Sequence, residues 1–406
     1  MRMLDLTEIS GGIPLIFIHK KRKTGHLVIH FNHGSAADPE NAHGALHLLE
    51  HMLFKGTKTR SYLDLLCGVE RMGADLNAFT TKESMVIHVS YPDEFLPQIA
   101  DFIGDVVYNS VFDETELKKE KRVIADEIRS YRDTPTEFIY DEFEKMMFGK
   151  SNLSHNILGT MASVNRISLN KLEQVYQQVM TGFHIAIVSN RSKENVCQIL
   201  NQHFGLKPYQ SLRKTETTET VLRSKKIKIL NDDVSQSHII AGIEAPSYSN
   251  PLQLPAYLLA NFLGGNAMSS VLNLELREKR GISYSVEAAM QSYARNGLFY
   301  TYLTCDKKRK KQALSIITGI FKHYAENGLS YTEFENIVRM TKSQYTMFFE
   351  HSLNEAMFHA KHFQYSGKIT TEEKLMKELH NIKHSDINTM CSQLLNFDNH
   401  SQIILE

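Results

Sequence analysis

Apolar and polar positions alternate through "PLIFIHK" and "HLVIHFN", both bounded by glycine, and this period of two predicts two strands near residues 14–20 and 26–32. The period then lengthens. "GALHLLEHMLF" and "SYLDLLCGVERMG" return their apolar residues every three to four positions and predict helices. "SMVIHVSY" goes back to alternation and reads as a strand. "LPQIADFIGDVVYN", "TELKKEKRVIADEIRSYRD" and "NKLEQVYQQVM" read as helices, and "FHIAIVSN" as a further strand. Over residues 207–224, "KPYQSLRKTETTETVLRS" loses the apolar period and gains Thr, Ser and charge, which predicts a linker.

The pattern then repeats. "HIIAGIEAP" stands where "HLVIHFNHG" stood, and "LPAYLLANFLGG" stands where the first helix stood. "VLNLELREKRGISYSVEAA" resembles "LLCGVERMGADLNAFTT" in pattern. A duplication of this size means two similar domains, drawn at residues 1–206 and 225–406.

Composition narrows the partners more than the fold. The chain has 406 residues, 42% hydrophobic and 23% charged, which is ordinary globular composition. Forty-six basic residues balance 46 acidic ones, so neither nucleic acid nor an anionic membrane is expected as a partner. Cys67, Cys197, Cys305 and Cys391 form no CxxC pair and read as free, mostly buried thiols in a reducing compartment. The start, "MRMLDLTEISGG", lacks an apolar core of signal-peptide length, and no run of about 18 apolar residues occurs. The expectation is a soluble cytoplasmic protein.

The helix "HGALHLLEHMLFKGT" carries the chemistry. His47 and His51 lie one turn apart on one face, with Glu50 beside them. Two imidazoles at i and i+4 can grip one zinc ion, and the carboxylate at i+3 can reach a water on it. In a chain with 19 His, the bland alternative is an amphipathic helix whose histidines face each other by accident. A catalytic zinc needs three protein ligands and an open position. The acidic helix "ETELKKEKRVIADEIRS" offers Glu114, Glu116, Glu120, Asp126 and Glu127. Glu120 and Glu127 share a face with Val123 and Ile124, but a solvated charged face would explain these acids equally, and periodicity does not choose among them.

The chain resembles the pitrilysin and insulinase family of zinc peptidases, which includes mitochondrial processing peptidase. Four ordered blocks and the spacing between them carry the resemblance across essentially the whole chain: "GALHLLEHMLFKGT", "GADLNAFTTKES", "EKRVIADEIRSYRDTP" and "LGGNAMSSVLNLELREKRGISYSV". The family has a ligand Glu roughly 76 residues beyond the second His, which falls on Glu127. The resemblance therefore implies zinc held by His47, His51 and Glu127, with Glu50 as general base and Glu120 supporting the site. It implies substrate contacts at Asn77, Ala78 and Phe79, where an extended peptide adds to an edge strand. It further implies that Arg277 grips substrate and that Tyr284 donates to the oxyanion; their bland readings are a surface ion pair with Glu275 or Glu278 and a core aromatic. The implied fold is α+β: two homologous α/β-sandwich domains, each an antiparallel-rich sheet with helices packed on it, closed clam-shell fashion around a peptide chamber.

Two departures bear on substrate preference. The strand after "NAFTTKE" has Ile87 and His88 where the family often has aromatics, and Gly34, Ser35 and Ala36 stand for the usual Gly-Ser-Arg. The expected function is a zinc-dependent endopeptidase acting on extended or unfolded peptides, with processing among its roles. The rival classes are a non-catalytic partner subunit of a heterodimeric peptidase and a module that only binds peptides. Both halves of the site on one chain favour a homodimer over an obligate heterodimer. A second cluster, His351, Glu355, His359 and His362 in "EHSLNEAMFHAKHFQ", reads as a polar helix face rather than a second metal site.

Overall fold

The strands at the centre of the first sheet are apolar on both faces because both faces are covered. The computed structural model describes residues 3–205, 208–209 and 225–406, so nearly all of the expected linker lies outside the described residues. In chain order the strands are β1 Met3–Ile9, β2 Ile13–His19, β3 Thr24–Phe31, β4 Asp75–Thr80, β5 Met85–Pro92, β6 Phe183–Ser189, β7 Ile227–Leu230, β8 Ser237–Ala245, β9 Val286–Ser292, β10 Gly297–Cys305 and β11 Ser401–Leu405. The α-helices are α1 Ala45–Leu53, α2 Tyr62–Glu70, α3 Leu96–Asn109, α4 Glu114–Arg132, α5 Pro135–Phe148, α6 Met161–Arg166, α7 Leu169–Val179, α8 Lys193–His203, α9 Gln253–Gly264, α10 Lys310–Asn327, α11 Tyr331–Glu350, α12 Ser352–Ser366, α13 Glu372–Asn381 and α14 His384–Leu394. β1 is an addition to the elements read from sequence; it pairs antiparallel with β2.

Two compact units result, neither contiguous in sequence. Unit 1 comprises residues 1–129, 155–217 and 348–371; unit 2 comprises 130–154, 218–347 and 372–406. Where the sequence reading draws one boundary through the linker, each unit also takes a segment from the other half of the chain. The reason is that a sheet has two faces to cover.

In unit 1 the strand order is β1-β2-β6-β3-β5-β4, antiparallel except for the β2–β6 pair. Leu15, Phe17, Leu27, Ile29, Ile185 and Ile187 face one core, shared with the buried side of α1 and α3. The alternate residues Ile16, Ile18, Val28, Val86, Ala186 and Val188 face Ala356 and Ala360 of α12. In unit 2 the order is β7-β11-β8-β10-β9, again antiparallel except for one pair, β7–β11. Taken in sequence order, this is the same path as β2-β6-β3-β5-β4, so the internal repeat extends to topology. α5 covers one face here: Phe143 lies 6.0 Å from the Tyr300 ring, and a Cβ on Gly242 of β8 would meet Phe143 at 2.6 Å.

Of the expected polar face of α12, Glu355 and His359 are buried, His362 is half-buried and His351 is exposed. Glu355 and His359 lie against the sheet, and Lys20 Nζ reaches Glu355 Oε2 at 2.6 Å. A short-chain polar cluster at helical spacing does not say which side of the helix the sheet will take. Among the described residues all four cysteines are free, but only Cys305 and Cys391 are buried. No helix among those residues is long and apolar enough to cross a membrane.

The α12 face generates a pH prediction. His184, stacked on His30 with ring centroids 4.8 Å apart, donates from Nε2 to the Ala360 carbonyl at 2.8 Å. Burial pushes His184 down to about 4 and His30 well below its ordinary value. Both are then neutral in the fold, whereas the unfolded chain protonates them below about pH 6.5. Stability therefore falls as pH drops from about 6.5 towards 4. His184→Gln keeps a donor to Ala360 and cannot titrate. Wild type should lose about 2 kcal/mol more than this variant between pH 6.5 and 5. Denaturant unfolding at both pH values checks this, and equal losses would refute it.

Candidate metal centre

α1 starts where the chain is forced to turn. Gly44 has φ +92°, and a Cβ there would meet the Leu158 carbonyl oxygen at 2.5 Å. Asp38 then ties down the first turn, accepting from Gly44 N at 2.6 Å and Leu46 N at 2.9 Å. Burial raises Asp38 to about 7 against the lowering effect of these bonds. Leu46, Leu48, Leu49, Met52 and Leu53 are buried on the core side, which leaves His47, Glu50 and His51 on the remaining face.

α4 passes along that face. Its buried residues are Leu117, Glu120 and Ile124, and Glu127 continues the same stripe three residues on. Val123, expected on that stripe, is 48% exposed; at about 100° per residue it points about 100° away from Ile124 and about 120° away from Leu117, outside the arc that is buried.

Three donors converge. Glu127 Oε2 lies 3.9 Å from His47 Nε2 and 3.8 Å from His51 Nε2, and the two rings have centroids 4.7 Å apart. Among the described residues, this is the one group of His, Cys, Asp and Glu whose ligand atoms gather so, all within 4.8 Å. Burial, then the neighbouring His51, pushes His47 down to about 3, so its imidazole is neutral with a lone pair to offer. His51 donates from Nδ1 to Glu120 Oε2 at 3.0 Å, which fixes the tautomer that leaves Nε2 as a lone pair facing Glu127. Lys55 holds the other Glu120 oxygen at 2.7 Å.

The donors fit a zinc ion on their own terms. Among the described residues, Glu127 Oε2, the oxygen that faces both Nε2 atoms, is buried without a hydrogen-bond partner. Separations of 3.8 and 3.9 Å are too long for hydrogen bonds, yet two ligands each about 2 Å from one zinc ion span up to about 4 Å. Two imidazoles and a carboxylate are also a donor set that catalytic zinc uses.

Glu50 sits beside this group with one oxygen fixed: Thr80 Oγ1 donates to its Oε2 at 2.6 Å. Burial raises its pKa first, with the Thr80 bond and His51 opposing. Asn77, Ala78 and Phe79 lie in β4, which pairs with β5 and is an edge of the unit 1 sheet. Arg277 and Tyr284 belong to unit 2. Arg277 lies in a π-helical turn, Asn273–Glu278, with Nε 3.5 Å from Glu278 Oε1; Glu275 is taken by Lys279 and Arg280. Tyr284 is 76% exposed and is not a core aromatic. Sequence reasoning missed Asp38, Lys55 and Thr80. Thr80 stood inside a quoted block, but nothing in its spacing to Glu50 announces their contact.

Profiles of known families match most of the chain. The one described as Insulinase (Peptidase family M16) covers residues 15–161, and the one described as Peptidase M16 inactive domain covers 166–341. The uncharacterized zinc protease YmxG of Bacillus subtilis is 28% identical over 90% of this chain and 89% of its own length. An uncharacterized zinc protease of Mycobacterium leprae is 26% identical over 96% and 89%. Two solved structures share the fold: a protease from Helicobacter pylori, with TM-score 0.89 and 16% identity over 100% of both chains, and a peptidase M16 inactive domain from Pseudomonas fluorescens, with TM-score 0.90 and 19% identity over 99% and 97%.

Purified protein should carry about one zinc per chain, and His51→Ala should carry little. Glu120→Gln should keep the site but weaken it about ten- to hundredfold, since the amide orients His51 less strongly. Elemental analysis with chelator competition measures both; equal zinc in wild type and His51→Ala would remove the assignment.

Proposed function

The chain belongs to the insulinase family, peptidase family M16, and we propose that it acts as a zinc-dependent endopeptidase on extended or unfolded peptides. The observation that carries this reading is the convergence of His47, His51 and Glu127 with Glu50 alongside.

Zinc held by His47, His51 and Glu127 would supply Lewis acidity, lowering the pKa of water towards about 7 and polarising a carbonyl. The rest is done by side chains. Among the described residues Glu50 is bonded through Oε2 alone, so Oε1 is left to accept a proton from the attacking water and return it to the leaving amine. Glu120 keeps the His51 lone pair directed inward, and Lys55 keeps Glu120 in place. The backbone of Asn77, Ala78 and Phe79 offers an edge to which an extended peptide adds as a strand, giving affinity with little sequence preference. Tyr284 donates its hydroxyl to the oxyanion and Arg277 grips a substrate carbonyl; the exposure of Tyr284 supports a role with ligand rather than with the core.

Glu50→Gln should retain zinc and fold but lose at least about a hundredfold in hydrolysis, because the amide cannot take the proton. A peptide-library digest read by mass spectrometry, with and without chelator, measures this, and near-normal turnover would point to another base. Tyr284→Phe should leave zinc content unchanged and cost about 2 to 4 kcal/mol, mostly in kcat. Arg277→Ala should raise KM as well. Untouched turnover in Tyr284→Phe would sink the role given to its hydroxyl.

A further inference from the structure

We infer that Thr80 is a positioning residue for Glu50, tying the orientation of the base to the strand on which substrate is seated. The inference rests on the peptidase reading above.

Thr80 is the last residue of β4, opposite Met85 of β5. Side chains along β4 alternate between more and less exposed faces. Leu76 and Ala78 pack against the unit 1 core, and Thr80 follows them on that face, so its hydroxyl is carried towards α1. There it donates to Glu50 Oε2 at 2.6 Å, the one hydrogen bond made by that carboxylate among the described residues.

The backbone that carries this hydroxyl has little freedom. The turn after Thr80 is closed by Thr81 N donating to the Ser84 carbonyl at 2.7 Å. The segment before α1 grips the same turn: Ser35 N donates to Thr81 O at 2.9 Å and Ala36 N to Lys82 O at 2.8 Å. The approach is so close that a Cβ on Gly34 would meet Ser84 N at 2.3 Å. A β-branched side chain on this backbone has few χ1 choices. Glu50 by contrast has three rotatable bonds, and with one oxygen held the other acquires a defined direction. A peptide that adds to the β4 edge therefore docks on the same backbone that aims the base.

The rival is that the hydroxyl merely satisfies a buried carboxylate. Thr80→Val removes the hydroxyl at nearly constant volume, and Thr80→Ser restores it. With positioning, Thr80→Val lowers kcat about ten- to hundredfold, as for one hydrogen bond to a charged group, with KM within about twofold. Zinc content and thermal midpoint stay near wild type, and Thr80→Ser recovers most of the loss. Wild-type kcat in Thr80→Val, a change confined to KM, or a Ser variant no better than Val would each overturn the inference. Thr80→Ala repeats the test should Val distort the fold. A readout without turnover separates this inference from the peptidase reading. In zinc-free protein the Glu50 carboxyl carbon, assigned by its loss in Glu50→Gln, should give one sharp 13C resonance in wild type and Thr80→Ser. It should shift and broaden in Thr80→Val. An unchanged line overturns the positioning role even if wild type cleaves no peptide. A changed line in a protein that cleaves none upholds the contact and removes the peptidase reading instead.

Discussion

A helix that buries six apolar side chains and still carries two histidines and a glutamate inward has to satisfy each of those polar groups, and unit 1 is arranged around that constraint. An unpartnered buried polar group costs about 1 to 3 kcal/mol, more when charged. Asp38 holds the first turn of α1, Glu120 holds His51, Lys55 holds Glu120, and Thr80 holds Glu50. Each partner comes from a different stretch of chain, so the sheet, the α4 stripe and the 81–84 turn must all be in register before α1 is tolerable. What this leaves over among the described residues is His47 Nδ1 and one carboxylate oxygen, Glu127 Oε2, the latter facing two imidazole nitrogens at distances no hydrogen bond spans. A divalent cation would turn that remainder of unmet polarity into the attraction that closes the cluster.

The sequence was legible where chemistry and period coincide. Two imidazoles at i and i+4 with a carboxylate between them need only one helix to be neighbours, so His47, Glu50 and His51 could be grouped before any fold was known. Glu127 could not be separated from Glu120 by period, since both occupy one stripe of α4; their roles differ only through the ring nitrogen each one meets. Lys55, Asp38 and Thr80 act across loops and strands, and tertiary register of that kind leaves no local pattern. The strands buried on both faces were read well because their apolar runs are nearly continuous. β1, half exposed at a sheet edge, has too weak an alternation to announce itself.

The duplication was visible as repeated blocks, and the shared strand order gives it physical content. Both sheets place the strand that follows the first helical segment at an edge: β4 in unit 1, β9 in unit 2. The first copy puts histidines on the helix beneath its edge, whereas α9, Gln253–Gly264, has none. The exchange of α5 and α12 between halves was not visible. α5 is amphipathic, which says that a face will be buried but not which sheet will bury it, and the face α12 buries, Ser352, Glu355, Ala356, His359 and Ala360, carries little apolar signal.

The helix α12 shows why spacing alone does not make a metal site. Glu355 and His359 stand at i and i+4, as His47 and His51 do, and both are more deeply buried. Yet Lys20 lies 2.6 Å from Glu355, and His359 Nε2 is 3.8 Å from the same carboxylate with the Phe349 and Phe358 rings around it. The acid is already neutralised, and a cation arriving there would have to displace a lysine inside the fold. Glu120 is in the same position, with Lys55 at 2.7 Å. Of the three acids within ion-pair reach of these histidines, Glu127 alone has no lysine or arginine against it among the described residues. The carboxylate without a counter-charge marks where a cation is wanted. That criterion picks the third ligand from the charge balance of the fold, which the spacing of acids along α4 could not do.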